Sequence, residues 1–269
     1  MVTDAEIGIL LNDVQECYGY DFNMYSKASI SRRVNRLFSI DRFMSFEAFR
    51  NQIISDYDYF KRFVEEITVN VTEMFRDPLF YKTIREQVLP QLATKPFIRI
   101  WHAGCSTGEE VYSMAILLQE SNLLRKSLIY ATDINPEVLA KAKSGIFPLS
   151  NFRQYSENYI LSGGREDFSS YYSANYGSAK FSELLSERMI YSTHNLVSDG
   201  SFNEFHLIMC RNVFIYFDKN LQQRVFQLFD SSLEVLGYLA LGSKETLKFS
   251  SISPKYKQIG KEKLWRKIA

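Results

Sequence analysis

Two glycines and a pair of glutamates mark a turn where a small ligand could bind. Gly104 and Gly108 lie between an apolar run and a helical pattern, and glycines there let the backbone approach a ligand closely. The third glycine of the dinucleotide-binding pattern is missing. Glu109 and Glu110 follow directly, and their charge would repel a pyrophosphate at the start of the helix. A ligand with a cationic amine or sulfonium suits this turn better than NAD does.

Asp133 is the next candidate, at the end of a second apolar run. In nucleotide-binding folds an acidic side chain about 20 residues after such a glycine turn meets the ribose hydroxyls. Asp133 follows Gly108 at nearly this spacing. The same aspartate could instead do no more than cap the turn after its strand. The glycines favour ribose binding.

Alternating strands and helices must position these residues. The predicted strands are KPFIRIWHAG, SLIYATDI, ERMIYSTHNL, FHLIMCRN and YLALG. Segments with helical spacing lie between them, and the last of these helices is KNLQQRVFQLFDSSLEVLG, just before YLALG. One helix has clear end signals, with Asn135 as N-cap, Pro136 in the first turn and Gly145 at the end. This alternation predicts an α/β fold class, a doubly wound Rossmann-like domain with a parallel sheet. The final segment, PKYKQIGKEKLWRKIA, predicts a closing antiparallel pair.

The region before this pattern is helical. Its apolar residues recur at helical spacing up to about Phe80, which predicts three to five helices. Thr3 and Glu6 form a capping-box pattern, and Ser45 is a plausible N-cap. We therefore expect an all-α N-terminal domain at the start of the chain.

These patterns predict two domains and one insertion. We place the helical domain at residues 1–85 and the α/β domain at residues 86–269. A stretch rich in Ser, Tyr, Gly and Asn is too long for an ordinary connection. We therefore expect an inserted β-subdomain at about 155–187, with two or three short antiparallel strands that turn near 175–178.

The composition excludes several classes of function. The chain has 32 basic and 31 acidic residues and a formal net charge of +1, so the overall charge predicts neither nucleic-acid binding nor membrane attachment. Its three cysteines form no CxxC pair, which predicts reduced thiols and no metal. No basic leader and no apolar run of about 18 residues is present. We expect a cytoplasmic protein without membrane insertion.

Five motifs occur together along the chain. They are TVNVTEMFRDP (68–78), RIWHAGCSTGEE (99–110), YATDIN (130–135), HNL (194–196) and CRNVFIYF (210–217). In this order and spacing they closely resemble the CheR family of chemotaxis receptor glutamate O-methyltransferases, over nearly the whole chain. The resemblance implies S-adenosylmethionine as cofactor, with S-adenosylhomocysteine as product. It also implies methyl transfer to glutamate side chains of a signalling receptor, which forms glutamyl methyl esters.

The resemblance also implies roles for individual residues. Glu109 would hold the amino group of the cofactor, and Asp133 would bind its ribose. Arg76 and Tyr216 would be the catalytic pair that orients the reacting groups. An arginine suits a carboxylate acceptor because its planar fork binds carboxylates in two places, although Arg76 could instead pair with Asp77. With Gly104 of the glycine turn, the predicted cofactor-binding residues are Asn70, Thr72, Arg76, Gly104, Glu109, Asp133, Asn195, Leu196, Asn212 and Val213.

The chain departs from the usual motifs of that family at a few positions. His102 stands where a small residue is usual, and GSKETL (242–247) replaces the usual GHSE. The change at His102 is compatible with the same fold. The loop at 242–247 is different enough that we assign no substrate contact to it.

A basic helical face is the candidate for substrate docking. Arg32, Arg33 and Arg36 share one face of a predicted helix, and no acidic residue lies in that segment. Such a run is often a solvated surface. In the resembling family this helix is positioned to meet acidic receptor helices. An acidic helical region of a receptor is therefore the expected partner, with a receptor peptide at the inserted subdomain as a second contact.

The expected activity is that of an S-adenosylmethionine-dependent protein-glutamate O-methyltransferase. A glutamate with a pKa near 4.3 is ionised at pH 7, so the acceptor needs no general base. Two alternatives stay open at this point. The chain could methylate another substrate, or it could be a signalling adaptor that binds the cofactor without methylating a receptor.

Overall fold

A computed structural model describes residues Met1–Thr68 and Asn70–Ala269. Val69, part of the first motif, lies outside the described residues. The chain divides into two units, one formed by Met1–Asn70 with Phe214–Val225 and the other by Val71–Val213 with Phe226–Ala269. This division differs from the expected boundary at 85/86. It also assigns a segment of the CRNVFIYF motif to the helical unit, because contacts between residues distant in sequence decide the grouping.

The N-terminal residues of the first unit form four helices, and the unit also includes the start of a later helix, Lys219–Ser232. The four are α1 (Asp4–Tyr18), α2 (Lys27–Ile40), α3 (Phe46–Ser55) and α4 (Tyr57–Thr68). The capping box is confirmed, since the Thr3 hydroxyl accepts the Glu6 N–H and the Glu6 carboxylate accepts the Thr3 N–H. Ser45 caps α3 by accepting the Ala48 N–H. These caps satisfy backbone donors that a helix start leaves unpaired.

The second unit is built on a seven-stranded sheet. The strands of the chain are β1 (Ile98–Ala103), β2 (Ser127–Asp133), β3 (Ile146–Pro148), β4 (Tyr172–Asn175), β5 (Ser178–Phe181), β6 (Met189–Thr193), β7 (Phe205–Cys210), β8 (Leu233–Leu241), β9 (Tyr256–Gln258) and β10 (Leu264–Lys267). The large sheet has the order β6-β2-β1-β7-β8-β10-β9. Its first five strands are parallel, and β10 pairs antiparallel with β8 and β9. The predicted doubly wound fold and the closing antiparallel pair are confirmed.

Helices accompany this sheet. They are α5 (Pro78–Thr83), α6 (Leu89–Leu92), α7 (Glu109–Glu120), α8 (Pro136–Ser144), α9 (Phe152–Leu161), α10 (Glu183–Ser186) and α11 (Lys219–Ser232). The end signals of α8 are confirmed, since Asn135 accepts the Glu137 N–H and Gly145 has a φ of 65°. The prediction that the helix beginning at Lys219 continues to Gly237 is wrong. Strand β8 starts at Leu233 because its residues pair with β7 and β10.

The insertion is a small antiparallel sheet of order β3-β5-β4. The turn between β4 and β5 lies at residues 175–178, where the sequence predicts it. The insertion begins earlier than the expected residue 155, because β3 pairs with β5. It also contains α9, which packs its aromatic side chains into the core of the unit. Strand β3 has only three residues, so it carries little sequence signal of its own.

The helices of the described ranges are all too short or too polar to cross a membrane.

Candidate active site

Predicted cofactor residues from four neighbouring strands lie at one edge of the large sheet. Gly104 follows β1, Asp133 ends β2, Asn195 follows β6 and Asn212 follows β7. These strands are adjacent and parallel, so their carboxyl ends share an edge. From β1 the chain continues to β2 and β6, which lie on one side of β1. It then crosses to β7, which lies on the other side of β1. Ligands of such sheets bind outside the carboxyl ends at this reversal of strand order.

The loops at this edge touch one another. The Ser106 N–H donates to Asp133 Oδ2 at 2.9 Å, and the His194 N–H donates to the Asp133 carbonyl at 3.1 Å. A Cβ on Gly104 would lie 2.6 Å from Val213 Cγ2. The loops after β1, β2, β6 and β7 therefore form one continuous surface.

Gly108 sets the start of α7. Its φ is +96°, and a Cβ there would lie 2.8 Å from the Cβ of Ala142 on α8. Both the backbone conformation and the close approach of α8 require glycine. This turn places Glu109, the first residue of α7, at the carboxyl edge of the sheet.

Glu109 is a buried carboxylate. Only 6% of its surface is exposed, and it accepts hydrogen bonds from the Thr107 hydroxyl at 2.6 Å and the Tyr155 hydroxyl at 3.4 Å. Burial raises the pKa of Glu109, and these hydrogen bonds oppose that shift. A cationic ligand beside Glu109 would stabilise its charged form.

Asp133 has the turn-capping role that the sequence left open. Its Oδ1 accepts the Asn135 N–H at 3.0 Å, while Oδ2 accepts the Ser106 N–H. Burial raises the pKa of Asp133, and the backbone hydrogen bonds work against that rise. Each carboxylate oxygen can accept more than one hydrogen bond. Capping therefore leaves room for the predicted contacts to a ribose.

Two polar atoms beside Asp133 are buried without a protein partner. Ser106 Oγ and Asn135 Nδ2 make no hydrogen bond with the residues that the structure describes. Most buried polar groups in proteins are paired, so these atoms suit the hydroxyls or heteroatoms of a ligand. The sequence predicts Asn135 only as a helix cap and does not single out Ser106. With Glu109, this edge fits a ligand that combines a cationic amine with a ribose.

A buried ionic network lies behind this surface. Arg211, just after β7, donates to Glu110 Oε2 at 3.2 Å, to Asp77 Oδ2 at 2.6 Å and to the Arg76 carbonyl at 3.2 Å. His102 Nδ1 lies 2.9 Å from Glu110 Oε1. Asp77 therefore forms its ion pair with Arg211 and not with Arg76, the alternative that the sequence left open. The network joins the ends of β1 and β7, the start of α7 and the segment of Arg76.

The charge of Glu110 is maintained by this network. Burial acts to raise its pKa, but the His102 hydrogen bond and the charge of Arg211 outweigh burial, so the pKa of Glu110 is lowered. A carboxylate whose pKa is depressed in this way stays ionised under neutral conditions. Glu110 therefore differs from its neighbour Glu109, whose pKa is raised.

Arg76 and Asn70 make short local contacts. Arg76 is half-exposed, and its Nη1 donates to the Val71 carbonyl at 3.5 Å. The side chain of Arg76 is thus partly open to solvent in the ligand-free protein. Asn70 donates to the Thr68 hydroxyl at 3.4 Å. Thr72 is half-buried.

The remaining predicted cofactor residues are ordered by their own loops. Asn195 receives the Val197 N–H on its side chain, and its own N–H donates to Asp199. Leu196 is buried. Asn212 has a φ of 63°, and its N–H donates to Glu245 Oε2 at 3.1 Å.

Glu245 is a functional candidate that the sequence does not identify. It belongs to the unusual GSKETL loop, is buried and receives the N–H groups of Gly242 and Asn212. It therefore holds the backbone of Asn212 in its left-handed conformation. Only the fold brings these two loops together, so no local pattern could reveal the contact.

The predicted residues are divided between the two units. Asn70 and Tyr216 belong to the first unit, with the docking arginines. The other predicted cofactor residues belong to the second unit; they are Thr72, Arg76, Gly104, Glu109, Asp133, Asn195, Leu196, Asn212 and Val213.

The basic face of α2 is only partly free. Arg32 is exposed, but Arg36 forms an ion pair with Glu66 and Arg33 Nη1 donates to the Glu66 carbonyl at 3.1 Å. No acid lies in the segment of α2 itself, as the sequence shows, but Glu66 of α4 pairs with Arg36 through its carboxylate and with Arg33 through its backbone carbonyl. Helix α4 supplies the acid, and sequence inspection of α2 alone cannot detect it.

Two family profiles match the chain. Residues 5–68 match "CheR methyltransferase, all-alpha domain" and residues 70–263 match "CheR methyltransferase, SAM binding domain". Among relatives, a Pseudomonas putida protein named Cher3, provisionally described as a methyltransferase, is 45% identical over 268 residues, which cover 98% of this chain and 97% of Cher3. The chemotaxis protein methyltransferase of Listeria innocua is 29% identical over 239 residues, with 87% of each chain covered.

The matched regions include four of the five motifs in full, all of the first motif but its second residue, and the edge of the sheet with Glu109 and Asp133. The buried carboxylates and the unpartnered polar atoms of this edge fit the amine and ribose of S-adenosylmethionine. The chain therefore belongs to the CheR methyltransferase family, and its cofactor is S-adenosylmethionine.

Proposed function

We propose that this protein transfers a methyl group from S-adenosylmethionine to glutamate side chains of a chemotaxis receptor. The observation that carries the proposal is the edge of the sheet where Glu109 and Asp133 are buried, within a CheR methyltransferase domain. Relatives from Listeria innocua and Borreliella burgdorferi, 29% identical to this chain, are named chemotaxis protein methyltransferases. These names support the receptor as acceptor.

The residues of the chain would bind and orient rather than transfer protons. When bound, the cofactor supplies an electrophilic methyl group on a sulfonium. Glu109 would hold its amino group, and Asp133 would bind its ribose. The acceptor glutamate is already ionised at neutral pH, so its oxygen can attack without a general base. Alignment of the reacting atoms and exclusion of water would then provide most of the rate.

Arg76 would bind the acceptor carboxylate, and Tyr216 would help to orient it. The side chain of Arg76 is half-exposed, and its Nη1 donates to the Val71 carbonyl at 3.5 Å, the long end of the hydrogen-bond range. Its guanidinium could therefore offer two donors to an incoming carboxylate. Asp77 does not compete for Arg76, because Asp77 is bound by Arg211.

Receptor docking would use α2 and the insertion. Arg32 is exposed on α2 and would meet an acidic helical region of the receptor. Strand β4 is an edge strand of the insertion with three exposed residues. A receptor peptide could add to this edge through backbone hydrogen bonds, a mode that depends little on salt.

Methyl-labelled S-adenosylmethionine and the purified cytoplasmic region of a chemoreceptor from the same organism test the proposal. We expect label on the receptor that mild base releases as methanol, because methyl esters are base-labile. Replacement of the labelled glutamates by alanine should abolish incorporation. Label that resists base would indicate another acceptor chemistry. Tight binding of S-adenosylhomocysteine with no transfer to any receptor would favour an adaptor.

A further inference from the structure

The segment that carries Tyr216 is held by the residues just before α2, within the helical unit. The Ser26 N–H donates to the Tyr216 carbonyl at 2.7 Å, and the Asp218 N–H donates to the Met24 carbonyl at 3.0 Å. Both contacts belong to the unit formed by residues 1–70 and 214–225. The backbone from Tyr216 to Asp218 is therefore held by the residues that lead into the basic helix.

Arg33 extends from the same helix to the ring of Tyr216. Its Cζ lies 6.0 Å from the ring centroid, at the limit of a cation–π contact. Its Nη1 donates to the Glu66 carbonyl, and its Nε is buried without a hydrogen-bond partner among the described residues. Arg33 is half-buried, whereas its neighbour Arg32 is exposed. The two arginines thus have different surroundings although they are adjacent in sequence.

We infer that Arg33 is a positioning residue for Tyr216 rather than a docking residue for the receptor. The Glu66 carbonyl anchors the guanidinium, and the guanidinium then restricts the orientation of the Tyr216 ring. This inference rests on the proposed function, in which Tyr216 orients the reacting groups. It divides the basic face of α2 into a docking residue, Arg32, and a residue that acts on the chemistry, Arg33.

The two roles predict different kinetic effects. Arg33→Gln lowers kcat about 5- to 30-fold, the range expected from loss of a partly desolvated cation–π contact. Its KM for the receptor stays close to the wild-type value, since the contact matters mainly in the transition state. Arg32→Gln removes the same charge one residue away, and it raises KM with little change in kcat.

Two further variants separate positioning from a loss of packing. Arg33→Lys keeps the positive charge but lacks the planar fork, so it recovers part of the lost kcat. Arg33→Met keeps an apolar stem that can pack as the arginine stem does. If Arg33→Gln lowers the unfolding temperature, the Met variant still shows the fall in kcat with a wild-type melting curve.

A double-mutant cycle identifies the residue through which Arg33 acts. If Arg33 orients the Tyr216 hydroxyl, Arg33→Gln adds no further loss of kcat to Tyr216→Phe, because residues in one interaction are not additive. Losses that multiply in the double variant would overturn the inference. A rise of KM without a fall of kcat in Arg33→Gln would also overturn it and would assign Arg33 to docking.

A readout without cofactor or receptor keeps this test independent of the proposed function. In protein labelled with carbon-13 in its tyrosine rings, the signal missing from Tyr216→Phe identifies Tyr216. Arg33→Gln should shift this signal, and Arg32→Gln should leave it in place. An unmoved signal in Arg33→Gln would refute the positioning contact. A shifted signal in an enzyme that methylates no receptor would refute the proposed function alone.

Discussion

Buried carboxylates reduce the stability of a folded protein unless something compensates for their charge. Glu109 is such a residue, since burial raises its pKa above the ordinary value of 4.5. A raised pKa means that the folded state binds the proton more tightly than the unfolded state does. The stability of the ligand-free protein is then highest with Glu109 protonated and falls as the pH rises from 4.5 through its folded pKa.

The raised pKa of Glu109 predicts opposite effects of Glu109→Gln on stability and on ligand binding. At pH 7 the ligand-free variant should unfold at the same or a higher temperature than the wild type, and this advantage should vanish as the pH falls toward 4.5. Its affinity for S-adenosylhomocysteine should fall by about 1.5–3 kcal/mol, the contribution of a charge-assisted hydrogen bond. Thermal melts across pH and calorimetry would measure the two effects.

Glu187→Gln changes an exposed glutamate of the same unit and should alter neither quantity. A ligand-free Glu109→Gln protein that is less stable at pH 7 would contradict the idea that the buried charge is costly.

Asp133 combines turn capping with the predicted ribose contact. Asp133→Ala should weaken S-adenosylhomocysteine binding by about 1.5–3 kcal/mol in calorimetry, because ribose hydroxyls lose a charged acceptor. Asp167→Ala is the matched control, since Asp167 also caps a turn by accepting the Ser169 N–H but lies in the insertion. Equal affinity in the wild type and Asp133→Ala would leave Asp133 with its capping role alone.

At the scale of elements, the approach of α7 to α8 determines where Glu109 lies. Gly108 makes this approach possible, since a Cβ would contact both the Cβ and the Cα of Ala142. Side-chain rotation cannot relieve these contacts at 2.8 and 3.1 Å, because the Cα belongs to the backbone and the Cβ is bonded directly to it. Helix α7 would have to move.

Gly108→Ala should therefore cost more than the conformational strain of a positive φ. Strain alone is about 1–2 kcal/mol, and Gly177→Ala isolates it, because Gly177 has a φ of +77° with no atom within 4 Å of its added Cβ. We expect Gly108→Ala to lower the free energy of unfolding by more than Gly177→Ala and to weaken cofactor binding as well. Chemical denaturation and calorimetry test this difference. Equal losses of stability would mean that α7 and α8 separate without cost.

At the scale of the whole molecule, the helical unit includes a segment from the far end of the chain. Residues 214–225 group with residues 1–70, and Phe217, Leu221 and Val225 of this segment are buried. Phe217 packs on the ring of Tyr25 with centroids 5.3 Å apart. A cut between the family-matched domains would thus separate parts of one hydrophobic core.

A fragment of residues 71–269 should be less soluble than the full chain. It lacks the side chains that cover the 214–225 segment, so it should bind the dye ANS and unfold at a lower temperature or without cooperativity. The full chain, measured in parallel, should bind little dye. A fragment that melts cooperatively at the temperature of the full chain would show that this segment does not depend on the helical unit.

The sequence by itself determined most of the elements and the family. Caps such as Thr3 with Glu6, and Asn135 with Gly145, act through neighbours within a few residues, so local patterns identify them. The apolar runs before Gly104 and Asp133 predict buried parallel strands, and the rule that ligands bind at the carboxyl ends of such strands brings the two residues to one edge. The five motifs identified the family for the same reason, since each is a short contiguous segment.

The tertiary structure decided which distant side chains meet. Arg211 binds Asp77 and Glu110, Glu245 supports Asn212, and Glu66 engages the arginines of α2. In each case the partners come from different elements, and no spacing rule relates them. The extent of the helical unit depends on the same kind of contact, since residues 214–225 belong to it only through packing. Sequence patterns reveal local repeats of two to four residues. These contacts instead join residues that are far apart in the sequence and that meet only in the folded chain.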